Sequence, residues 1–558
     1  MKKIVITLTA ILFITISTMT AQTTWYVDSA SKAGNPTGKS WANAFPLLQT
    51  ALDSAIAGDQ IWVAKGTYKP TKKAADTSNM GVVTTDRDMT FVLQSGVAIY
   101  GGFAGTETIL SERVLPPFRT ASRTILSGDI GSTYNFDNCY HVIVSSGDST
   151  EAGSLDGITI TQACSIDGNF DYVTINEQLV QRSNGGGIYN VYSSPTLTNI
   201  TINKNIAIYN GGGIYNENSS PTLTHVSING NEANVNGGGM FNNNSSPILT
   251  NVTINENEVG YKGGGGGVYN LFSSPTFTNV TISGNLANSP GGGMFNNNSS
   301  PTLTNVLING NFSNSSGGGM YNVESSPMLI NVTISGNKTP EGGGGGMYNV
   351  LFASPILRNT IVWGNISGVH NAGLFEEPIY YYSLVQERDS TDNGCIAAGT
   401  VIGEVFEAQT NYKIAPTVTG NYYLNAGSPC INTGNNDYNI QPADLNGNPR
   451  IYNTIIDMGA YEYDPNIIIG IRNIATSNII IYPNPAQHTL FIESAEKVEQ
   501  VNIYDISGRM LKNTTHAVMS SAVETSLTID VSNLANGIYL VKVKTSQGEA
   551  VKRVVISD

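Results

Sequence analysis

The chain has 558 residues, 60 of them glycine, and only 13% are charged. That balance suits an extended, turn-rich all-β protein with ample core and argues against an ordinary helical enzyme. A formal net charge of −14 without clustered Lys or Arg excludes nucleic acid as a partner, because phosphate binding needs concentrated cations.

The first element is an export leader over residues 1–21. Lys2 and Lys3 precede an apolar run from Ile4 to Ile16, and Met19-Thr20-Ala21 supplies short residues before a cleavage point between Ala21 and Gln22. The run is shorter than the ~20 residues of a membrane span, which favours a cleaved signal peptide over a retained anchor. Next, Trp25–Asp28 reads as a strand, and Trp41–Ala57 as an amphipathic helix with Leu48, Leu52 and Ala55 on one face. Ile61–Ala64 and Gly66–Tyr68 then begin a stack of coils. A helix in this place is expected to cover the open, strand-edged end of that stack. Residues 22–184 are thus an N-terminal cap followed by irregular early coils.

Four cysteines occur in the whole chain. Cys139 and Cys164 lie 25 residues apart, close to one coil, so a bridge between neighbouring coils is reasonable, and Cys395 with Cys430 is a second candidate pair. Four cysteines allow three pairings, and spacing does not choose among them. The same region holds Arg123, Asp129, Asp137, His141 and Asp156, a candidate acid–base group if early coils bring them together. Turn and loop roles explain each of them equally well.

From 185 to 365 the chain repeats itself seven times. The turn prolines Pro195, Pro221, Pro247, Pro275, Pro301, Pro327 and Pro355 step by 26, 26, 28, 26, 26 and 28 residues. Such periods mean units that bury their apolar faces only by stacking on one another. Leu197, Ile200 and Ile202 begin three apolar columns, separated by Thr, Ser and Asn at strand spacing rather than helix spacing. Triple glycines and Ser-Ser-Pro turns would break helices in any case. Stacked at about 4.8 Å, identical residues become ladders. One runs from Asn190 to Asn349, and another from Asn199 to Asn359 with His225 as its single substitution. Both are expected to be structural, since stacked amides bond from coil to coil and Asn tolerates tight turns.

Tyr100-Gly101-Gly102-Phe103-Ala104-Gly105-Thr106-Glu107 and Leu126-Ser127-Gly128-Asp129, with the Gly-Gly-Gly-Ile-Tyr-Asn and Ser-Pro-Thr-Leu-Thr-Asn phrases, resemble bacterial surface proteins with a pectin-lyase-like right-handed parallel β-helix. The repeats are similar to those of polymorphic outer-membrane proteins. The resemblance covers about 24–365 and implies the fold; that fold hosts lyases, hydrolases, adhesins and structural proteins alike.

Residues 366–465 lose the period. Leu424–Gly434, Asp444–Arg450 and Asp457–Glu462 are similar to the choice-of-anchor module that closes such helices. Its acids with Arg450 admit two readings, a calcium site or an ion-pair site, within what is expected to be a terminal cap. After a linker over 466–477, residues 478–558 carry alternating strands at the spacing of a small Ig-like β-sandwich. Tyr482-Pro483-Asn484-Pro485, Ile503-Tyr504-Asp505 with Gly508, Gly537-Ile538-Tyr539 and Lys552-Arg553-Val554-Val555 resemble the type A C-terminal sorting domain of the type IX secretion system. That resemblance implies engagement of the type IX machinery, export across an outer membrane, and surface attachment or release after the domain is removed.

Two functional classes follow. From Gly185 to Asn349 there is no Asp and no Arg, and the ionisable residues present are scattered rather than stacked, which disfavours acid–base catalysis within the repeats. Tyr189, Tyr215, Phe241, Tyr269, Phe295, Tyr321 and Tyr348 form one aromatic column that strand alternation turns outward. Stacked, these rings make a stripe roughly 30 Å long, suited to a polysaccharide or to the surface of a host or neighbouring cell. The sequence therefore favours a secreted, surface-displayed adhesin-like or glycan-contacting protein over its alternative, an extracellular polysaccharide lyase or glycoside hydrolase.

Overall fold

Strands that recur every 26 or 28 residues pair in parallel with their own repeats and turn the sequence period into a coil. In the first regular coil they span Ile188–Val191, Thr196–Thr198, Thr201–Asn203 and Ile206–Ala207. Each sits in register on the next coil, Tyr189 opposite Tyr215, Leu197 opposite Leu223 and Ile202 opposite Ile228. These pairings come from a computed structural model that describes residues 22–75, 84–113, 115, 123–131, 135–147, 152–165, 171–261, 263–340, 343–372, 377–401, 404–408 and 421–465, then 480–482, 486–487, 489–493, 498–505, 510–515, 526–535, 537–545 and 548–556. The expected leader to Ala21, the linker over 466–477, Pro483–Pro485 and Gly508 lie outside the described residues.

The result is a parallel β-helix. Among the described residues its walls are a sheet of twenty strands, one of ten and one of six. Ile188, Leu197, Ile200, Ile202 and their counterparts point inward and merge into one core from Val27 to Val385. Each fully buried Leu or Ile there stabilises the fold by about 1.5–3 kcal/mol. The corners follow from backbone chemistry. Asn199 and its column, His225 included, hold φ between +47 and +55, a region that costs most side chains energy but which Asn tolerates. In the triple glycines the third has no room for a side chain: a Cβ on Gly213 would stand 2.5 Å from the Gly239 carbonyl oxygen of the next coil.

The N-terminal helix is shorter than the pattern suggests. Trp41–Asn43 forms a single 3₁₀ turn, and the α-helix α1 covers Leu48–Ser54 only. Pro46 disfavours helical backbone at the residue before it, and Phe45 instead bridges Val27 in strand fashion. Leu48 and Leu52 of α1 still share the core of the first coils with Leu93, Ile99 and Leu155. A second departure is an inserted antiparallel hairpin, Tyr172–Ile175 with Gln178–Gln181. It lies on the outer face of the ten-strand sheet, where Val173, Ile175 and Val180 pack on Val144, Tyr189, Tyr215 and Phe241. Arg182 ties the hairpin down through two 2.8 Å bonds to Asp88.

The coil outlasts the sequence period. Val369–Asn371, Ile379–Tyr381 and Leu384–Val385 continue the ladders. The chain then folds back along the side of the rod instead of only closing its end. Asn305 Nδ2 donates to the Ala443 carbonyl at 2.7 Å, and the Ala460 and Gly459 N–H groups donate to Thr333 Oγ1 and the Asn359 carbonyl at 2.9 and 2.7 Å. A second core joins Leu307 and Ile361 on the outside of the coils to Phe406, Tyr422, Leu424 and Met458. At the positions of Leu307 and Ile361 the earlier coils carry Thr201, Ser227, Thr253 and Thr281.

Residues 480–556 form a separate antiparallel arrangement, a three-strand and a four-strand sheet that share a core of Leu490, Ile492 and Ile529 with Val501, Ile503, Val541 and Val543. The strand Met510–Thr515, mostly polar in sequence, pairs with Val498–Asp505.

Candidate ligand-binding face

The aromatic column stands on the outer face of the ten-strand sheet because Ile188 and Asn190, on either side of Tyr189, both turn inward. Ring centroids follow one another at 4.8, 5.4, 5.2, 4.6, 4.9 and 5.4 Å from Tyr189 to Tyr348. Two histidines extend the row: His141 meets Tyr189 edge-on at 5.3 Å, and His370 stacks on Tyr348 at 4.8 Å. Seven stacked rings were legible as a column, but their exposure is unequal. The hairpin covers Tyr189, Tyr215 and Phe241, which are 1, 6 and 5% exposed. Tyr269, Phe295, Tyr321 and Tyr348 are half-buried, and His370 is exposed. The accessible stripe is therefore five rings, about 19 Å, not the whole column. An insertion between coils, which no column of the repeat encodes, is the reason for the difference. Burial raises the phenol pKa of Tyr269 and of Tyr321, so both remain neutral hydroxyls.

The early ionisable residues are not brought together. Asp129 pairs with Lys69 at 3.3 Å, and Asp156 takes Arg113 at 2.5 Å and Asn199 Nδ2 at 2.8 Å on the long sheet. His141 is buried beside the ten-strand sheet, its Nδ1 2.8 Å from the Gly185 carbonyl, and desolvation pushes its pKa down to about 4. Arg123 is exposed, and Asp137 sits in a 3₁₀ turn at Asn135–Asp137. A hollow of about 310 Å³ near the N-terminal end is lined by Ala55, Ile56, Ala57, Gln94, Ser95, Ser146, Gly147 and Asn176, none of which ionises. Among the described residues its lining offers no acid or base.

The cysteines are all buried thiols, and neither expected bridge is formed. Cys139 and Cys164 do lie on adjoining coils, the Cys164 N–H bonded to the Cys139 carbonyl at 3.0 Å. The Cys139 sulfur, however, is turned against Gly128, and Cys430 is absorbed into the core beneath the folded-back module.

In that module the acids and Arg450 close on one another. Arg450 is fully buried, 3.5 Å from Glu462, with carbonyl bonds to Asp457 and Gly459. Asp444 accepts the Asn446, Asn448 and Glu462 N–H groups, and Asp457 those of Asn432 and Tyr463. Among the described residues no group of three such side chains is arranged to hold a metal ion; of the two expectations for these acids, the geometry is that of the ion pair. Burial and the neighbouring Asp457 outweigh Arg450 and push the Glu462 pKa up to about 7.

Fold and termini together define a class: a parallel β-helix rod whose chain ends in a separate antiparallel module. Residues 480–557 match the family described as the secretion system C-terminal sorting domain. This domain addresses the chain to the type IX secretion machinery, to secretion and to cell-surface attachment. Among solved structures the chain is similar to pectate lyase Pel9A, at 14% identity and a TM-score of 0.43, over 80% of this chain and 97% of that one. It is also similar to a rhamnogalacturonan lyase, at 12% and 0.34 over 72% and 97%, and to XylC in complex with xylose, at 9% and 0.34 over 91% and 100%. Likenesses of this size carry nothing about activity. No curated protein sequence matches the chain.

Proposed function

We propose that this is a surface-displayed, adhesin-like rod that contacts glycans through the open half of its aromatic row. The observation that carries the reading is the run Tyr269, Phe295, Tyr321, Tyr348 and His370, stacked at van der Waals spacing on a flat sheet and left uncovered where the hairpin stops. Flat apolar faces in series suit the C–H faces of sugar rings, while the phenol hydroxyls supply donors at the rim. The separate engagements of Asp129, Asp156 and His141, each with its own partner, support binding over hydrolysis or elimination.

The test is binding of the full secreted chain to immobilised polysaccharides, with Tyr269, Tyr321 and Tyr348 all changed to Ala. Retention should fall by about tenfold or more, as three stacking contacts are removed. Unchanged retention by a folded variant, or release of unsaturated or reducing-end products by the wild type, would overturn the reading.

A further inference from the structure

A second row of rings runs beside the first. In every coil the aromatic strand ends in a left-handed bend just before the Ser-Ser-Pro turn, or Ala353-Ser354-Pro355 in the seventh. Asn218, Asn244 and Asn298 occupy that bend with φ of +48 to +49, a conformation Asn accepts, and Glu324 holds it at +48 in the sixth coil. Tyr192 and Phe272 adopt φ +48 at the same position, where a Cβ crowds the following carbonyl. In the seventh coil the bend is one residue longer, and both Leu351 and Phe352 have positive φ, +47 and +56. These rings gain little burial in return, since Tyr192, Phe272 and Phe352 are 49, 59 and 56% exposed. Bulky aromatic side chains held in a costly backbone state, where three other coils use Asn, point to a role in recognition. They fall on the first, fourth and seventh coils, so successive rings stand about 14 Å apart.

We infer that Tyr192, Phe272 and Phe352 grip an extended, neutral polysaccharide laid along the rod axis beside the stacked row. The inference rests on the glycan-contacting reading above and names the polymer. The strands of this sheet that carry the three rings are already paired on both sides, so no partner strand can add beside them. Between the rings the bends offer the amides of Asn218, Asn244 and Asn298 and the carboxylate of Glu324, and the second Ser of the turns, as at Ser220, Ser246 and Ser300, is exposed, an interrupted pattern unlike the contiguous apolar centre of a protein interface. A chain of pyranose units presents that alternation, with C–H faces for the rings and hydroxyl rims for the amides. Charge selects neutrality. The described strands and bends of this face carry Glu217 and Glu324 and no Lys or Arg, so a polyuronate would meet only like charge.

The full chain carrying Y192N, F272N and F352N is compared with the wild type and with the Tyr269, Tyr321 and Tyr348 to Ala variant, by affinity electrophoresis in β-glucan, xylan, mannan and polygalacturonate. Because Asn is native to this bend in other coils, the unfolding midpoint should stay level or rise. Retardation by at least one neutral polymer should weaken about tenfold in the Asn variant, as exposed stacking contacts are lost, and polygalacturonate should not retard the wild type. Weakening in the Ala variant alone would overturn this inference and leave the reading above it standing. No retardation of the wild type by any polymer would sink both. Stronger binding to polygalacturonate would overturn the neutral assignment. On intact target cells, attachment abolished by protease treatment and indifferent to periodate would replace the glycan with a protein partner.

Discussion

Single asparagines hold the coils to one another. Asn216 Nδ2 donates to Asn242 Oδ1 at 2.7 Å, and Asn242 Nδ2 to Asn270 Oδ1 at 2.8 Å, all three buried. Changing Asn242 to Ala should therefore cost about 2–6 kcal/mol, since two buried partners are left unpaired at about 1–3 kcal/mol each; equilibrium denaturation measures it, and a loss below 1 kcal/mol would contradict the ladder. This column and that of Asn199 were legible from period alone. A third column, from Asn205 to Asn365, repeats in the same steps of 26 and 28 residues. It proves to be the most heavily bonded of the three: Asn231 Oδ1 accepts both the backbone N–H and the side-chain amide of Asn205. Which of several asparagines turns inward depends on where the corners fall, and a repeat with Asn in so many columns does not say.

At the scale of elements, two attachments to the rod decide what is accessible, and neither is periodic. The hairpin at 172–181 covers the early rings. The module over 405–463 covers the long sheet of the last coils. A signal for the second was present: the outward Thr and Ser of four coils give way to Leu307, and the outward position after Thr333 becomes Ile361. It is faint because β-branched and apolar residues are equally at home in strands. Changing Leu307 and Ile361 to Thr should leave the coils intact and loosen the module, each side chain forfeiting about 1.5–3 kcal/mol of burial. Limited proteolysis checks this, with new cleavage expected within 405–463. Cleavage appearing first within 185–365 would show that the two residues support the coils instead.

The whole rod should respond to pH in opposite senses along its length. His141 is held neutral in the fold, its pKa lowered to about 4. Its contribution is present above the unfolded value of 6.5 and is lost as pH falls through about 4. Glu462 is raised to about 7 from 4.5, so its contribution is complete below 4.5 and is lost as pH rises through about 7. Acid should thus loosen the early coils, and neutral pH the folded-back module. Hydrogen exchange followed at 141–191 and at 444–463 across this range resolves the two, and Glu462→Gln should flatten the second profile. Exchange that changes in the same direction at both ends would refute the assignment. The sequence placed both residues in their segments but not in their environments, because burial of an isolated acid or imidazole depends on what folds over it.

The register between coils has a further consequence for how such a chain changes over generations. Each unit pairs with its neighbour residue for residue, and the extra length in the longer steps falls between strands, as at 260–267, leaving the pairing undisturbed. Duplication or loss of one unit in the gene, away from the coils that carry the hairpin and the folded-back module, is therefore a conservative event: it inserts or removes one complete layer, with its own core, amides and ring, and restores every coil-to-coil contact it breaks. The length of the exposed aromatic row can then be reset in whole layers, without any new side chain having to evolve.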